Sequence, residues 1–460
     1  MTRGLAALSV LALIAAGCGG GGTSASDAAQ LLPANTVAYV SLDTSAGSGQ
    51  IANANAILHE FQFTPAVNRE LKQVFARAAV LGPVTDVAVL RVKARAEVVA
   101  LTQPKDEKAL VAKLDAAKPK EAHRQVDGWT AFSSTSAALA DVGMRGARLP
   151  GDPTYTKAIG TLPGSGHALI RAYASSAGAL RALTGPMLQK LVPSAASTLP
   201  AVPRGWVGLA LSADKGAFKL EVHTKTVGAK STGRSLAGQL PSGSILAASF
   251  GGNGRSSTVP KAVTGDLQAL SKRIGTNIAP LLKVLGGPMI LYVRPGTPVP
   301  DVTIAAKPAQ PKRALASVSK LLSGLTGGVV KPVPVPVPDG TLDRVFLGVI
   351  SLYYGRLGDG EVVVSDSPDA IAELKGADGR LAGDAMFKDA ASEAGLPDTN
   401  SGFLFVDAKD LLPVIESFAQ LANAKIPASV EANFKPLESL LVYGASGGGV
   451  ETFVALLKTS

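Results

Sequence analysis

Leu32-Pro33-Ala34-Asn35-Thr36-Val37 returns 208 residues later as Leu240-Pro241-Ser242-Gly243-Ser244-Ile245. A single echo of this kind is weak, but ordered echoes at a near-constant spacing are the mark of a repeated structural unit. Val80-Leu81-Gly82 returns as Val284-Leu285-Gly286, and Glu97-Val98 with Gln103-Pro104 returns as Asp301-Val302 with Lys307-Pro308, all 204 residues on. Leu149, Gly151, Asp152, Tyr155 and Ala158 then match Leu381, Gly383, Asp384, Phe387 and Ala390 at a spacing of 232. Leu162-Pro163 matches Leu396-Pro397 at 234, and Gly208 matches Gly444 at 236. The blocks keep their order, so two homologous lobes in tandem are expected, over 30–225 and 237–458. Between them 226–236 is rich in Gly, Ser, Thr and Lys, the composition of a linker.

The step from 204 to 232 places an insertion of 28 residues in the second lobe, near 326–353. It contains Lys331-Pro-Val-Pro-Val-Pro-Val-Pro338, which can form neither a helix nor a central strand. The run is expected to extend as polyproline II and to act as a stiff edge or spacer, since no aromatic or charge pattern marks it as a recognition ribbon.

Local patterns give each lobe its class. Val37–Asp43, Val84–Val92 and Glu97–Leu101 read as strands. Thr64-Pro65 opens a helix with Val67, Leu71, Val74, Phe75 and Ala78 on one face, and Leu110, Val111 and Leu114 mark a second. Leu315, Val318, Leu321, Leu322 and Leu325 repeat that helix in the second lobe, and the long apolar run Val345–Tyr354 reads as a buried strand. Each lobe closes in a ribbon. One turns at Asp214-Lys215-Gly216 between Trp206–Ser212 and Phe218–His223; the other turns at Gly447-Gly448-Gly449 between Leu440–Tyr443 and Thr452–Leu456. The expected fold is α+β, each lobe a mainly antiparallel sheet with helices packed on one face, in the manner of ferredoxin-like topology.

The 460 residues carry 45 Lys+Arg against 35 Asp+Glu, and 17% are charged while 46% are apolar. That balance excludes a disordered chain. The single cysteine excludes a disulfide scaffold and a Cys-rich metal site. It is Cys18, preceded by Arg3, an apolar run Leu5–Ala16 and the small residues Ala15, Ala16 and Gly17. This order is that of a signal peptide over 1–17, with an apolar core too short to span a bilayer. The small residues before Cys18 resemble the lipobox of bacterial lipoproteins. The resemblance implies cleavage before Cys18 and a diacylglycerol on its sulfur. Gly19–Gly22 and Thr23–Ser26 open a flexible tether over 18–29. The body is expected outside the cytoplasmic membrane, held to it by the Cys18 lipid.

Several patterns that can carry chemistry have structural readings that fit better. Gly444-Ala445-Ser446-Gly447-Gly448 has the form of a hydrolase nucleophile elbow, but it leads into a strand, and no His follows it in the chain. Ser317-Val318-Ser319-Lys320 contains S-x-x-K without the companion elements of penicillin-recognising enzymes. Asp152 and Asp384 occupy equivalent positions, as paired acid/base carboxylates would, yet each precedes a helical pattern and reads as an N-cap. His59, His123, His167 and His223 have no metal-binding spacing, and Gly164-Ser165-Gly166 lacks the rest of a phosphate loop. No catalytic, cofactor-binding or metal residues are therefore assigned. Asp366, Asp407 and Asp410 would need to converge in space to support a hydrolase of wall material.

Basic residues gather at Lys105, Lys108, Lys113, Lys118, Lys120 and Arg124, and at Lys307, Lys312, Arg313, Lys320 and Lys331. They read as a solvated helix face; outside a cell the anions they would meet are phospholipid heads or wall polymers, not nucleic acid. Together, the lipobox and tether, Leu31–Val40, Leu396-Pro397 and Gly402–Asp407 resemble a family of bacterial envelope proteins, a domain of unknown function numbered 3352. The resemblance implies a surface location and supplies no catalytic residues. The expected role is a non-enzymatic, lipid-anchored binding or scaffolding module of the cell envelope. A lipid carrier with a ligand between the lobes is the alternative, suggested by the low aromatic content of 5%.

Overall fold

In the structure, a computed structural model, the described residues are 27–45, 47–62, 81–92, 95–164, 167–176, 205–225, 233–251, 287–296, 300–325, 331–337, 339–347, 351–375, 379–421 and 424–460. The signal, Cys18, most of the tether and the helix expected from Thr64 lie outside them. The chain divides into two compact units, Met1–Gly228 with Gly448–Phe453 and Ala229–Gly447 with Val454–Ser460. Each is a mixed structure of antiparallel sheet and helices.

In the first unit, β-branched and aromatic residues make strands of Thr36–Asp43 (β1), Val84–Val92 (β2), Arg95–Thr102 (β3), Ala122–Val126 (β4), Trp129–Ser133 (β5), Ile170–Ala174 (β6), Val207–Asp214 (β7) and Ala217–Lys225 (β8). Their order is β4-β5-β3-β2-β1-β6-β7-β8, and every pairing is antiparallel. The helices are Gly49–His59 (α1), Glu107–Ala116 (α2), Ser136–Leu139 (α3) and Pro153–Gly160 (α4). Val87-Ala88-Val89-Leu90 is buried at every residue, so both faces of β2 need cover. Tyr39, Ala88, Leu90 and Tyr173 pack under Leu139 of α3 and Tyr155 and Ala158 of α4. On the reverse face Ala38, Val40, Val87 and Ala100 pack under Leu110 and Leu114 of α2.

Two expectations are corrected here. Helices lie on both faces of the sheet, because its central strands are apolar on both. The topology is not ferredoxin-like either: β1 and β2 are antiparallel neighbours, whereas the strands of a split βαβ unit run parallel.

The second unit comprises Gly233–Arg234 (β9), Leu246–Phe250 (β10), Met289–Arg294 (β11), Asp301–Ala306 (β12), Val333–Val337 (β13), Gly340–Phe346 (β14), Ser351–Leu357 (β15), Val362–Ser365 (β16), Thr399–Asn400 (β17), Gly402–Asp407 (β18) and Leu437–Gly447 (β19). The main sheet runs β13-β14-β15-β16-β12-β11-β10-β18-β19, antiparallel throughout. Gly233 and Arg234, in the expected linker, pair with β17. Val450–Thr459 (β20) follows β19 across Gly448 and Gly449, whose φ of 59° and 77° suit a two-residue hairpin turn.

Among the described residues the helices of this unit are Pro311–Leu325 (α5), Pro368–Lys375 (α6), Ala385–Ala394 (α7), Ala408–Leu421 (α8) and Ala428–Phe434 (α9). Ala314, Val318 and Leu322 of α5 pack on Ala306, Val345, Tyr354 and Val362. Phe387 of α7 stacks on the other face, its ring 5.4 Å from Phe403 and 5.3 Å from Phe405.

The proline run is not a polyproline helix. Val333–Val337 is a strand paired with β14, Val337 opposite Gly340 and Val333 opposite Arg344. The Gly358 N–H donates to the Asp339 carbonyl at 3.0 Å. By the alternation of an antiparallel ladder, the odd residues of β14 therefore bond to β15 and the even ones to β13. The even residues face valines, so Pro334 and Pro336 fall where no N–H is needed. The run Val345–Tyr354 is likewise not one strand: β14 ends at Phe346, β15 begins at Ser351, and Phe346 and Leu347 are exposed.

Candidate functional site

The most tempting carboxylates are both helix caps. Pro153 and Ala385 begin α4 and α7, and the aspartate before each has extended backbone. Asp152 Oδ1 accepts the Thr154 N–H at 2.7 Å. Asp384 Oδ1 accepts from Met386 at 3.0 Å and Phe387 at 3.3 Å, while its Oδ2 accepts the Ser242 hydroxyl at 3.1 Å and the Gly243 N–H at 3.4 Å. These oxygens satisfy orphan donors of a first helical turn.

The other patterns resolve in the same way. Gly444–Gly447 lies within β19 and Gly448 in the hairpin turn, so nothing lifts Ser446 at a strand-to-helix elbow. Ser317 donates its hydroxyl proton to the Arg313 carbonyl one helical turn back, at 3.1 Å, rather than to Lys320. Asp366 Oδ1 accepts the Val302 N–H at 2.7 Å, and Asp407 Oδ1 accepts the Asp410 N–H at 3.1 Å. Burial pushes both carboxyls above their ordinary pKa. They follow β16 and end β18, with β12, β11 and β10 between, on the order of 19 Å apart at normal strand spacing. The convergence a hydrolase requires of Asp366 with Asp407 and Asp410 is absent.

His123 Nε2 lies 3.4 Å from Asp115 Oδ1. Burial lowers the pKa of His223 on β8. No group of three His, Cys, Asp or Glu able to hold a metal occurs among the described residues.

Most of the basic residues are solvated, and three also have partners within their own unit. Lys120 pairs with Asp115 at 2.9 Å, Lys307 pairs with Asp359 at 2.8 Å, and Arg124 donates to the Leu139 carbonyl at 3.1 Å. Lys105, Lys108, Lys113, Lys118, Lys312, Arg313, Lys320 and Lys331 are exposed.

A buried polar cluster lies under α4. Tyr155 meets Tyr39 edge-on at 5.8 Å and Tyr173 at 5.3 Å. Asp86 is fully buried on the same face, where the register sets Ser41 between it and Arg171. Arg171 Nη2 donates to the Ile159 carbonyl at the end of α4, 3.2 Å away. Burial, then the Asp86 charge, pushes the Tyr155 phenol up to about 12 against the pull of Arg171. Burial and the Asp152 carboxylate also raise Tyr173. Tyr155 and Tyr173 therefore stay protonated at neutral pH, and all three rings act as packing with polar tips. No local pattern announced them, because they come from β1, α4 and β6.

Fold and site together define a mixed, mainly antiparallel sheet protein whose conspicuous polar motifs serve its architecture. No family model matches the chain, and no curated protein matches it. Among solved structures, crystal forms I and III of TP0453 are similar at 12% and 14% identity, with TM-scores of 0.24 and 0.26. Each covers 45% of this chain, and 81% and 82% of their own chains are matched. Among the described residues no helix is long and apolar enough to cross a membrane.

Proposed function

We propose that this chain is a non-enzymatic cell-envelope protein, anchored by a diacylglycerol on Cys18, whose two tandem homologous lobes serve as a binding or scaffolding module. One observation carries the reading: the construction around the two aspartates is the same in both units. Leu149 N–H donates to the Leu32 carbonyl at 2.9 Å, and Leu381 N–H donates to the Leu240 carbonyl at 2.9 Å. Pro33 bridges to Arg148, and Pro241 to Arg380. A short 3₁₀ turn, Leu149–Gly151 or Leu381–Gly383, then delivers Asp152 or Asp384 to its capping position.

The strand order supports the duplication as well. Read as equivalent, β5-β3-β2-β1-β6-β7 of the first unit runs in the same sequence as β16-β12-β11-β10-β18-β19 of the second. The hairpin β13-β14 then stands as the insertion. A close backbone approach recurs too. A Cβ on Gly82 would stand 1.8 Å from the Gln103 carbonyl oxygen, and one on Gly287 would stand 2.4 Å from that of Lys307. The sequence match pairs Gly82 with Gly286, one residue earlier, and Gly286 lies outside the described residues.

A lobe built twice around capped aspartates uses as scaffold the groups an enzyme would use for acid/base work. The resemblance of Leu31–Val40 and Gly402–Asp407 to envelope proteins agrees with this, as does the lipobox before Cys18. Intact-mass analysis of the protein extracted from its own membranes is expected to show a chain starting at Cys18 and carrying diacylglycerol, and Cys18→Ser should move it to the soluble fraction. An unmodified chain that stays with the membrane after Cys18→Ser would sink the anchor. Turnover of an envelope substrate, abolished by one polar substitution, would sink the non-enzymatic role.

A further inference from the structure

The register of the second unit brings several strand ends level. Thr303 lies opposite Ser365, Ser365 opposite Tyr353, Tyr353 opposite Arg344, and Arg344 opposite Val333. Just beyond that row, at the same end of the sheet, come Val302 on β12 and Phe346 with Leu347 at the end of β14. Val302 is 38% exposed, Val333 48%, Phe346 55% and Leu347 37%. Seven large hydrophobic residues are exposed among the described residues, and four of them share this rim. Isolated exposed hydrophobics are ordinary, but a group on one edge marks a contact surface.

The charges on the rim favour one kind of partner. Lys331 precedes Val333, and Arg344 lies opposite Val333 and two residues before Phe346 on the same sheet face. Both cations are exposed, without an ion pair among the described residues. Of the acids at this end, Asp366 accepts the Val302 N–H and Asp301 lies opposite Arg294, while Asp369 in the first turn of α6 is exposed. The ridge is apolar, and Lys331 and Arg344 outnumber its one exposed acid. A ring and aliphatic groups can enter the acyl boundary of a bilayer while ammonium and guanidinium groups reach the phosphates. A second copy of the same ridge would instead bring like charges together.

We propose that this rim, with Val302, Val333, Phe346 and Leu347 flanked by Lys331 and Arg344, is the surface on which the body of the protein rests on an anionic phospholipid bilayer. The inference deepens the lipid-anchored reading and rests on it, since a Cys18 anchor would hold the body within reach of the headgroups.

The test uses the full acylated chain in vesicles of phosphatidylcholine, with or without phosphatidylglycerol, whose acyl chains carry bromine as a quencher. Trp129 and Trp206 are buried in the first unit and give a constant background. Phe346→Trp places a reporter on the rim, and Met144→Trp, 55% exposed in the first unit, is the control. Phe346→Trp should be quenched several-fold more than Met144→Trp, and only with phosphatidylglycerol present. Lys331→Gln and Arg344→Gln should each weaken that interaction about fivefold. Equal quenching of the two reporters in protein that floats with the vesicles would leave the anchor standing and overturn the rim. Rim quenching in chains found without acylation would keep the rim and remove the anchor. A dimer that shifts Phe346→Trp emission without lipid would overturn the bilayer in favour of a second copy.

Discussion

At the residue scale the two aspartates differ in workload, although they occupy matching positions. Asp152 satisfies one backbone donor of α4, at 2.7 Å. Asp384 satisfies two in α7 and also receives Ser242 and Gly243 from the segment before β10. Loss of an aspartate cap costs about 1 kcal/mol, and each further stranded donor adds to that. Asp152→Ala should therefore destabilise by about 1 kcal/mol and Asp384→Ala by about 2 kcal/mol. Chemical denaturation of each variant against the parent measures both. Equal or negligible losses would show that the extra Asp384 contacts contribute nothing and would reopen a chemical role. The capping role was legible from the sequence, since an aspartate ahead of a helical pattern has few other uses. The added work of Asp384 was not, because Ser242 is 142 residues away in the chain.

At the element scale, the strands and amphipathic helices were legible wherever one residue period dominated. The spacing of Val318 and Leu322 identified α5, and glycines marked both closing turns. What failed were assignments that depend on a neighbour. A run of alternating proline and valine has no intrinsic reason to be a strand, but β14 supplies carbonyls and N–H groups at every second position, and those meet valines. The consequence lies on the other side of β13. Among the described residues β13 pairs with β14 alone, and at Pro334 and Pro336 its outward edge offers no donor. An edge strand without donors cannot template another strand. Pro334→Val with Pro336→Val should restore two outward N–H groups and produce concentration-dependent association, read by light scattering after gel filtration. A double variant as monodisperse as the parent would show that the prolines do not guard this edge.

At the scale of the whole molecule, the residues that carry the proposed duplication are those whose burial or capping is hardest to replace. Leu32, Leu149, Leu240 and Leu381 are all fully buried, and so are Ala158 and Ala390. Their surroundings differ: Tyr155 and Tyr173 beside Asp86 and Arg171 in one unit stand against Phe387, Phe403 and Phe405 in the other. The rim was illegible in the sequence, since Val302, Val333 and Phe346 are unremarkable until the register sets them level.

If the units descend from one ancestor, their most protected strands should also correspond, because protection follows burial and pairing on both sides. In the first unit β1 lies between β2 and β6; in the second β10 lies between β11 and β18. Hydrogen exchange should find the slowest amides in Tyr39–Leu42 and in Ala247–Phe250, with β13 and β14 among the fastest strands. Protection centred on β14 and β15 instead would mean that the hairpin belongs to the second unit's founding core, and the insertion, with the equivalence built on it, would fall.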